Sequence, residues 1–330
     1  MEILQRWIQG KQPKSEELEQ LLVEDLKVFS RNIEELKERS HLFLACYQEV
    51  INLAEKLGFN LLDRTLTTLW KLWLPLAMQI VNKKRDLPCP LIQGILGGQG
   101  TGKTTLTAML TLIIAHLGYS TVSLSLDDLY KTYAQRQQLQ QQDPRLIWRG
   151  PPGTHDIQLG IETLDRLLQK NSQKPILIPR FDKSAYQGLG ERTQPEIIRS
   201  ADIILFEGWF VGVRPIDDSN FDNPPPPILT PEDKLFARDM NEKLKEYLPL
   251  WERLDSLIIL NPKDYRWSKM WRKEAEQKMI ALGKTGMSDG QIEEFVEYFW
   301  RSLHPELFIP PLINNPQIVD LVIQINKDHC

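Results

Sequence analysis

The chain has 330 residues, 42% apolar and 25% charged, long enough to bury a sizeable core as one large α/β domain or two. A net charge of −4 and an isoelectric point near 5.9 leave no basic footprint, which argues against nucleic acid and favours small-molecule chemistry. Cys46, Cys89 and Cys330 are scattered without metal or disulfide spacing, so a reducing, cytoplasmic setting is expected.

Residues 1–88 read as a helical N-terminal extension. Ser15-Glu16-Glu17-Leu18 offers a helix cap, and Ser40 to Leu57 predicts a second helix ending at Gly58. The opening residues lack a basic region before an apolar core, so no leader is expected. The most apolar window, Leu66 to Val81, is shorter than a membrane span and contains Lys71 and Pro75. It predicts a buried helix, kinked or ended near Pro75, with Trp70, Trp73 and Leu74 as packing residues. No membrane partner is expected, and no protein partner can be named.

Residues 89–330 alternate strand and helix patterns, so the expected fold class is α/β, a P-loop NTPase-like, doubly wound, mostly parallel sheet. Leu91 to Leu96 predicts a buried strand, and Thr105 to Leu117 an apolar helix. Between them, Gly97-Gly98-Gln99-Gly100-Thr101-Gly102-Lys103-Thr104 fits G-x-x-x-x-G-K-[ST], the phosphate-binding loop. Glycines at 97, 98, 100 and 102 would let successive N–H groups turn inward around phosphate oxygens. Lys103 would hold the β- and γ-phosphates, and the Thr104 hydroxyl would ligate Mg²⁺. The expected nucleotide-binding set runs from Gly97 to Thr105, with ATP and Mg²⁺ as cofactors.

Ser120 to Leu126 predicts a strand delivering Asp127 and Asp128 where ligands bind in open parallel sheets. One carboxylate would accept the proton of a substrate hydroxyl, while the other orders a metal-bound water or caps a helix. Tyr133 to Gln142 is a polar helix or loop. In the shaped loop from Trp148 to Asp156, Thr154 or Asp156 caps the next helix, and Arg149 and His155 are structural turn residues or substrate contacts. Pro175 to Ile178 predicts a short strand leading to Arg180, Asp182 and Arg192, candidates for gripping an anionic or polyhydroxy substrate.

Ala201 to Gly208 predicts a buried strand ending in an acid, so Glu207 would bind Mg²⁺ directly or through water. Pro224 to Pro227 predicts a polyproline II linker. A helix is expected over Leu235 to Tyr247 and a strand over Ser256 to Leu260. The charged helix Trp267 to Met279, within a lid near residues 262–285, would close over the phosphates and supply Arg266 or Arg272. Asp289 to Ser302 predicts a further helix and Ile318 to Ile325 a last strand.

The phosphate loop, Ser125-Leu126-Asp127-Asp128-Leu129-Tyr130, Arg149-Gly150-Pro151-Pro152-Gly153-Thr154-His155-Asp156, Arg180-Phe181-Asp182-Lys183-Ser184 and Phe206-Glu207-Gly208-Trp209 together resemble D-glycerate 3-kinases of the plant and cyanobacterial type. That family lies in the P-loop group with phosphoribulokinase, uridine kinase and pantothenate kinase. The resemblance covers about residues 90 to 310, and the PGTHD and FDKS stretches discriminate within the group. Phe181 stands where family patterns often have Tyr, and a double proline precedes Gly153.

The resemblance implies transfer of the ATP γ-phosphate to the 3-hydroxyl of D-glycerate, with Asp127 as general base and Glu207 near Mg²⁺. For the acceptor carboxylate, Arg149, Arg180 and Arg192 are candidates and Arg180 is the first choice. The alternatives are a kinase of uridine, pantothenate or another small hydroxyl substrate, or an ATP-driven switch without a small acceptor.

Overall fold

Parallel strands covered on both faces need unbroken apolar runs, and those after residue 90 become strands. The computed structural model describes residues 2–24, 32–59, 61–169, 174–281 and 286–328. Cys330 and the tail of the expected lid, residues 282–285, lie outside them. Among the described residues, seven strands follow residue 90: β1 (Leu91–Gly97), β2 (Thr121–Ser125), β3 (Ile176–Asp182), β4 (Glu191–Ile198), β5 (Ile203–Gly208), β6 (Ser256–Pro262) and β7 (Leu321–Ile325). Five form one sheet in the order β2-β5-β1-β6-β7, while β3 and β4 pair antiparallel apart from it. β6 runs parallel to both β1 and β7, and every residue of β1 and β5 is buried.

Three aspartates fix where strands begin. The Asp255 carboxylate accepts the Ile92 N–H at 2.8 Å, Asp202 accepts the Ser120 N–H at 2.8 Å, and Asp320 accepts the Leu257 N–H at 2.8 Å. Each charge-assisted bond satisfies a backbone donor at a strand start and fixes register there.

The chain divides into two compact units, residues 1–91 with 104–123 and 201–204, and residues 92–103 with 124–200 and 205–330. The first unit is largely helical. Its centre is an edge-to-face cluster of Trp7, Phe43 and Trp70, with ring centroids 5.4 to 6.0 Å apart. The buried Arg39 lies over Trp70, its guanidinium carbon 5.2 Å from the ring centroid. Trp70 and Trp73 are thus packing residues. Among the described residues no helix is long and apolar enough to cross a membrane.

Several elements differ from the sequence reading. The helix expected from Ser40 begins at Ile33, capped by Asn32, and Ser40 turns its hydroxyl back onto the Lys37 carbonyl. The α-helical pattern is interrupted just before Pro75, in keeping with the sequence reading. A π-helical turn, Leu69–Trp73, precedes it, and proline occupies the first turn of Leu74–Arg85, where its missing N–H is tolerated. β4 was not expected, because its residues are polar and it contains Pro195. The proline run is not polyproline II: Pro226-Pro227 is cis, and the Ile228 N–H bonds to the Pro225 carbonyl, closing a turn that helix lacks. The helix expected over Leu235 to Tyr247 spans Pro231–Lys243 and continues as a 3-10 turn, Leu244–Tyr247.

Candidate active site

At the end of β1 the chain must wrap backbone around an anion, and two different constraints select glycine there. Gly100 takes φ +77°, and a Cβ there would lie 2.5 Å from Trp271 Cβ. Gly97 is demanded by space alone, since its Cβ would fall 2.5 Å from Thr101 Oγ1. Gly102 has φ +88°, whereas Gly98 has neither positive φ nor a close neighbour.

The Thr101 hydroxyl donates to Gly98 O at 2.9 Å, and Lys103 Nζ donates to the same carbonyl at 3.1 Å. Burial holds the Lys103 ammonium below its usual range, against the pull of the Glu207 and Asp127 carboxylates. A cation short of solvent in this way gains most from a phosphate. Thr104 and Thr105 follow in the first turn of helix Lys103–His116.

β2 ends at Ser125, which caps a 3-10 turn, Leu126–Leu129, in a capping box closed by Asp128. The two adjacent acids therefore have different duties. Asp128 accepts the Ser125 N–H at 3.0 Å and Arg180 Nη1 at 2.9 Å, and burial raises its pKa despite both bonds. Asp127 is half-buried and pairs with Lys183 Nζ at 2.5 Å. Burial pushes the Asp127 carboxyl up, but the Lys183 ammonium and the Tyr130 hydroxyl bring it below its ordinary value. Asp127 is thus a carboxylate at neutral pH.

Tyr130 rests on the His155 ring, 4.6 Å between centroids at 22°, and meets Phe181 edge-on at 5.1 Å. The His155 side chain is fully buried, 0% exposed, and its Nδ1 lies 2.7 Å from the Tyr247 hydroxyl. Burial lowers its pKa to about 3, so the ring is neutral. His155 braces Tyr130 from beneath.

The loop before it is held by its own hydrogen bonds. Thr154 Oγ1 donates to Pro151 O and accepts the Gly150 N–H, and Asp156, not Thr154, caps helix Ile157–Leu168. Arg192 pairs with Asp156 at 2.8 Å, Arg180 bridges Asp128 and Glu196, and Arg149 lies over Tyr130 and Phe181. Asp182 accepts the Ser184 N–H and hydroxyl, which folds the turn after β3 and holds its pKa low.

Glu207 ends near the close of β5, only 8% exposed, and its side chain has no hydrogen bond or ion pair among the described residues. Helix Trp267–Ala281 sets the buried Trp271 against Gly100. Arg272 pairs with the buried Glu276 at 2.9 Å and lies over Phe295, while Arg266 pairs with Asp264 at 2.8 Å.

The chain is 32% identical to the chloroplastic D-glycerate 3-kinase of Arabidopsis thaliana over 262 residues, 74% of this chain and 54% of that protein. It therefore spans about half the length of that relative. It is 30% identical over 250 residues to the uncharacterized kinase mug58 of Schizosaccharomyces pombe, 72% of this chain and 89% of that protein. The chain belongs to this family of P-loop kinases.

The family makes it an ATP-dependent small-molecule kinase. The solved D-glycerate 3-kinase from Cryptococcus neoformans var. grubii shares its fold with a TM-score of 0.66 and 25% identity, covering 77% of this chain and 94% of that one. Models of known families give no match to the chain. Two groups beside Asp127 in this kinase had no role in the sequence reading. Lys183 and Tyr130 both stand in the quoted motifs, and the signal missed was that each motif brings one donor to the same carboxylate.

Proposed function

We propose that this kinase phosphorylates the 3-hydroxyl of D-glycerate. The observation that carries the reading is Asp127, an ionised carboxylate just past the end of β2 that receives Lys183 and Tyr130 and whose side chain stays out of the capping box beside it. Glycerate itself is supported by the names of the Arabidopsis and Cryptococcus relatives.

Asp127 takes the proton of the acceptor hydroxyl as its oxygen forms a bond to the γ-phosphorus. The bond from that phosphorus to the β–γ bridging oxygen breaks, and ADP leaves. Loop N–H groups and Lys103 hold the phosphates, and such charge neutralisation supplies most of the acceleration in phosphoryl transfer. The donors present fit Mg²⁺, because Glu207 is a buried carboxylate with no hydrogen bond among the described residues and Thr104 offers a hydroxyl. These two residues would hold the ion, which supplies positive charge to the phosphates.

The test is turnover of D-glycerate, L-glycerate, uridine and pantothenate at saturating MgATP. Preference for D-glycerate is expected. Preference for uridine or pantothenate would overturn the assignment while leaving a P-loop kinase.

A further inference from the structure

Arg136, Arg149, Arg180 and Arg192 gather around Tyr130, Phe181 and the acids of the site, and three of their four guanidinium groups are already committed. Arg180 donates Nη2 to Glu196 at 2.5 Å and Nη1 to Asp128 at 2.9 Å. Arg192 donates Nη2 to Asp156 at 2.8 Å and Nε to the Tyr130 carbonyl at 2.9 Å. Arg136 places Nη1 on the Leu189 carbonyl and Nη2 on that of Gly190.

Arg149 differs from Arg180 and Arg192 in having no ion pair among the described residues, and from Arg136 in committing one Nη rather than both to a carbonyl: its hydrogen bond runs from Nη1 to the Gly188 carbonyl at 2.6 Å. The Nε and Nη2 groups form the edge that a carboxylate grips bidentately, and both remain available. Its guanidinium carbon lies 5.9 Å from the Tyr130 centroid and 5.6 Å from that of Phe181. Aromatic faces hold a cation in place without neutralising it. The backbone is fixed as well. Gly150 has φ +132°, a Cβ there would fall 2.3 Å from Phe299, and its carbonyl accepts the Trp209 indole N–H at 3.1 Å.

The Tyr130 ring that supports Arg149 sends its hydroxyl to Asp127. One phenol ring therefore separates an unneutralised guanidinium from the base. A small hydroxy acid carries its carboxylate and its reacting hydroxyl at the two ends of a three-carbon skeleton, and it bridges such a span. We infer that Arg149 grips the acceptor's carboxylate through Nε and Nη2 and so sets acceptor specificity. Arg180 is then a positioning residue, which holds Asp128 and with it the turn that presents Asp127. This assignment rests on the acceptor being a small hydroxy carboxylate.

The experiment is steady-state kinetics of the full chain with MgATP, comparing wild type, Arg149→Lys, Arg149→Met and Arg180→Lys on D-glycerate and on glycerol, which lacks the carboxylate. Arg149→Met is expected to raise KM for D-glycerate about 10- to 100-fold, as for a hydrogen-bonded charge, and to lower the D-glycerate to glycerol ratio of kcat/KM by the same factor. Arg149→Lys falls between, because it keeps the charge and the stem but loses the fork. KM for ATP holds in both. Arg180→Lys should act on kcat instead, through Asp127. Should Arg149→Met unfold, Arg149→Lys carries the test, with the thermal midpoint as the check on fold. An unchanged glycerate KM in both Arg149 variants, or a rise confined to Arg180→Lys, overturns the role of Arg149 and leaves the glycerate reading standing. A wild type that phosphorylates uridine and no hydroxy acid overturns both.

Discussion

Removing the Lys183 ammonium should move the acid limb of the kcat profile to higher pH. The pair stands at 2.5 Å with Asp127 29% exposed and Lys183 62% exposed. Two unit charges about 4 Å apart interact by about 4 kcal/mol at an effective dielectric of ~20. Lys183 is well solvated, so screening reduces this to about 1 kcal/mol. Its loss therefore lets the Asp127 carboxyl rise toward and past its ordinary range. The sign follows from the charges: Lys183 favours the carboxylate, so without it Asp127 protonates at higher pH and the base is lost sooner on acidification. Lys103, the Tyr130 hydroxyl, the neutral His155 and the Asp128 carboxyl still face Asp127 in the variant.

The assay is kcat for D-glycerate at saturating MgATP across the acid range, for wild type, Lys183→Met and Lys183→Arg. The Met variant should shift up, and by less at high salt because exposed pairs are screened. The Arg variant should restore most of the wild-type profile. A limb that stays in place or moves down in Lys183→Met would show that this ion pair does not set the base.

Lys103→Ala should abolish phosphoryl transfer with the circular dichroism unchanged, since its ammonium bonds to a loop carbonyl rather than to the core. Gly100→Ala should cost about 1–3 kcal/mol in urea unfolding and raise KM for ATP, because it combines φ +77° with a clash against Trp271. His155 should make stability fall on acidification. Its pKa drops from 6.5 to about 3 on burial, so the unfolded chain takes up the proton first. Its contribution is whole above pH ~6.5 and is lost toward pH ~3, by at most about 1.4 kcal/mol per unit. Urea midpoints at several pH values should fall more steeply for wild type than for His155→Gln, and parallel slopes would refute a buried neutral ring.

The phosphate loop was legible because its meaning is local. An apolar strand, glycines, a lysine and a threonine stand next to one another, and the same short stretch that spells the motif also builds it. The buried strands β1, β5 and β6 were legible for the same reason, as runs whose apolar character reflects burial on both faces. β4 was hidden, because a two-stranded ribbon with exposed polar side chains leaves no such pattern.

Asp127 and Asp128 are neighbours of the same residue type, so nothing in their order separates the acid that pairs with a lysine from the one that closes a cap. Only the fold did so, by sending Lys183 to one and Arg180, 52 residues away, to the other. The arginines follow the same rule. Their type announces affinity for anions, but whether a given fork is still available depends on which carboxylates and carbonyls reach it through space. The tertiary structure commits Arg180 and Arg192 to acids of the chain and seats Arg149 on two aromatic rings, because the electrostatic state of a side chain is set by neighbours in space that distance along the chain does not encode.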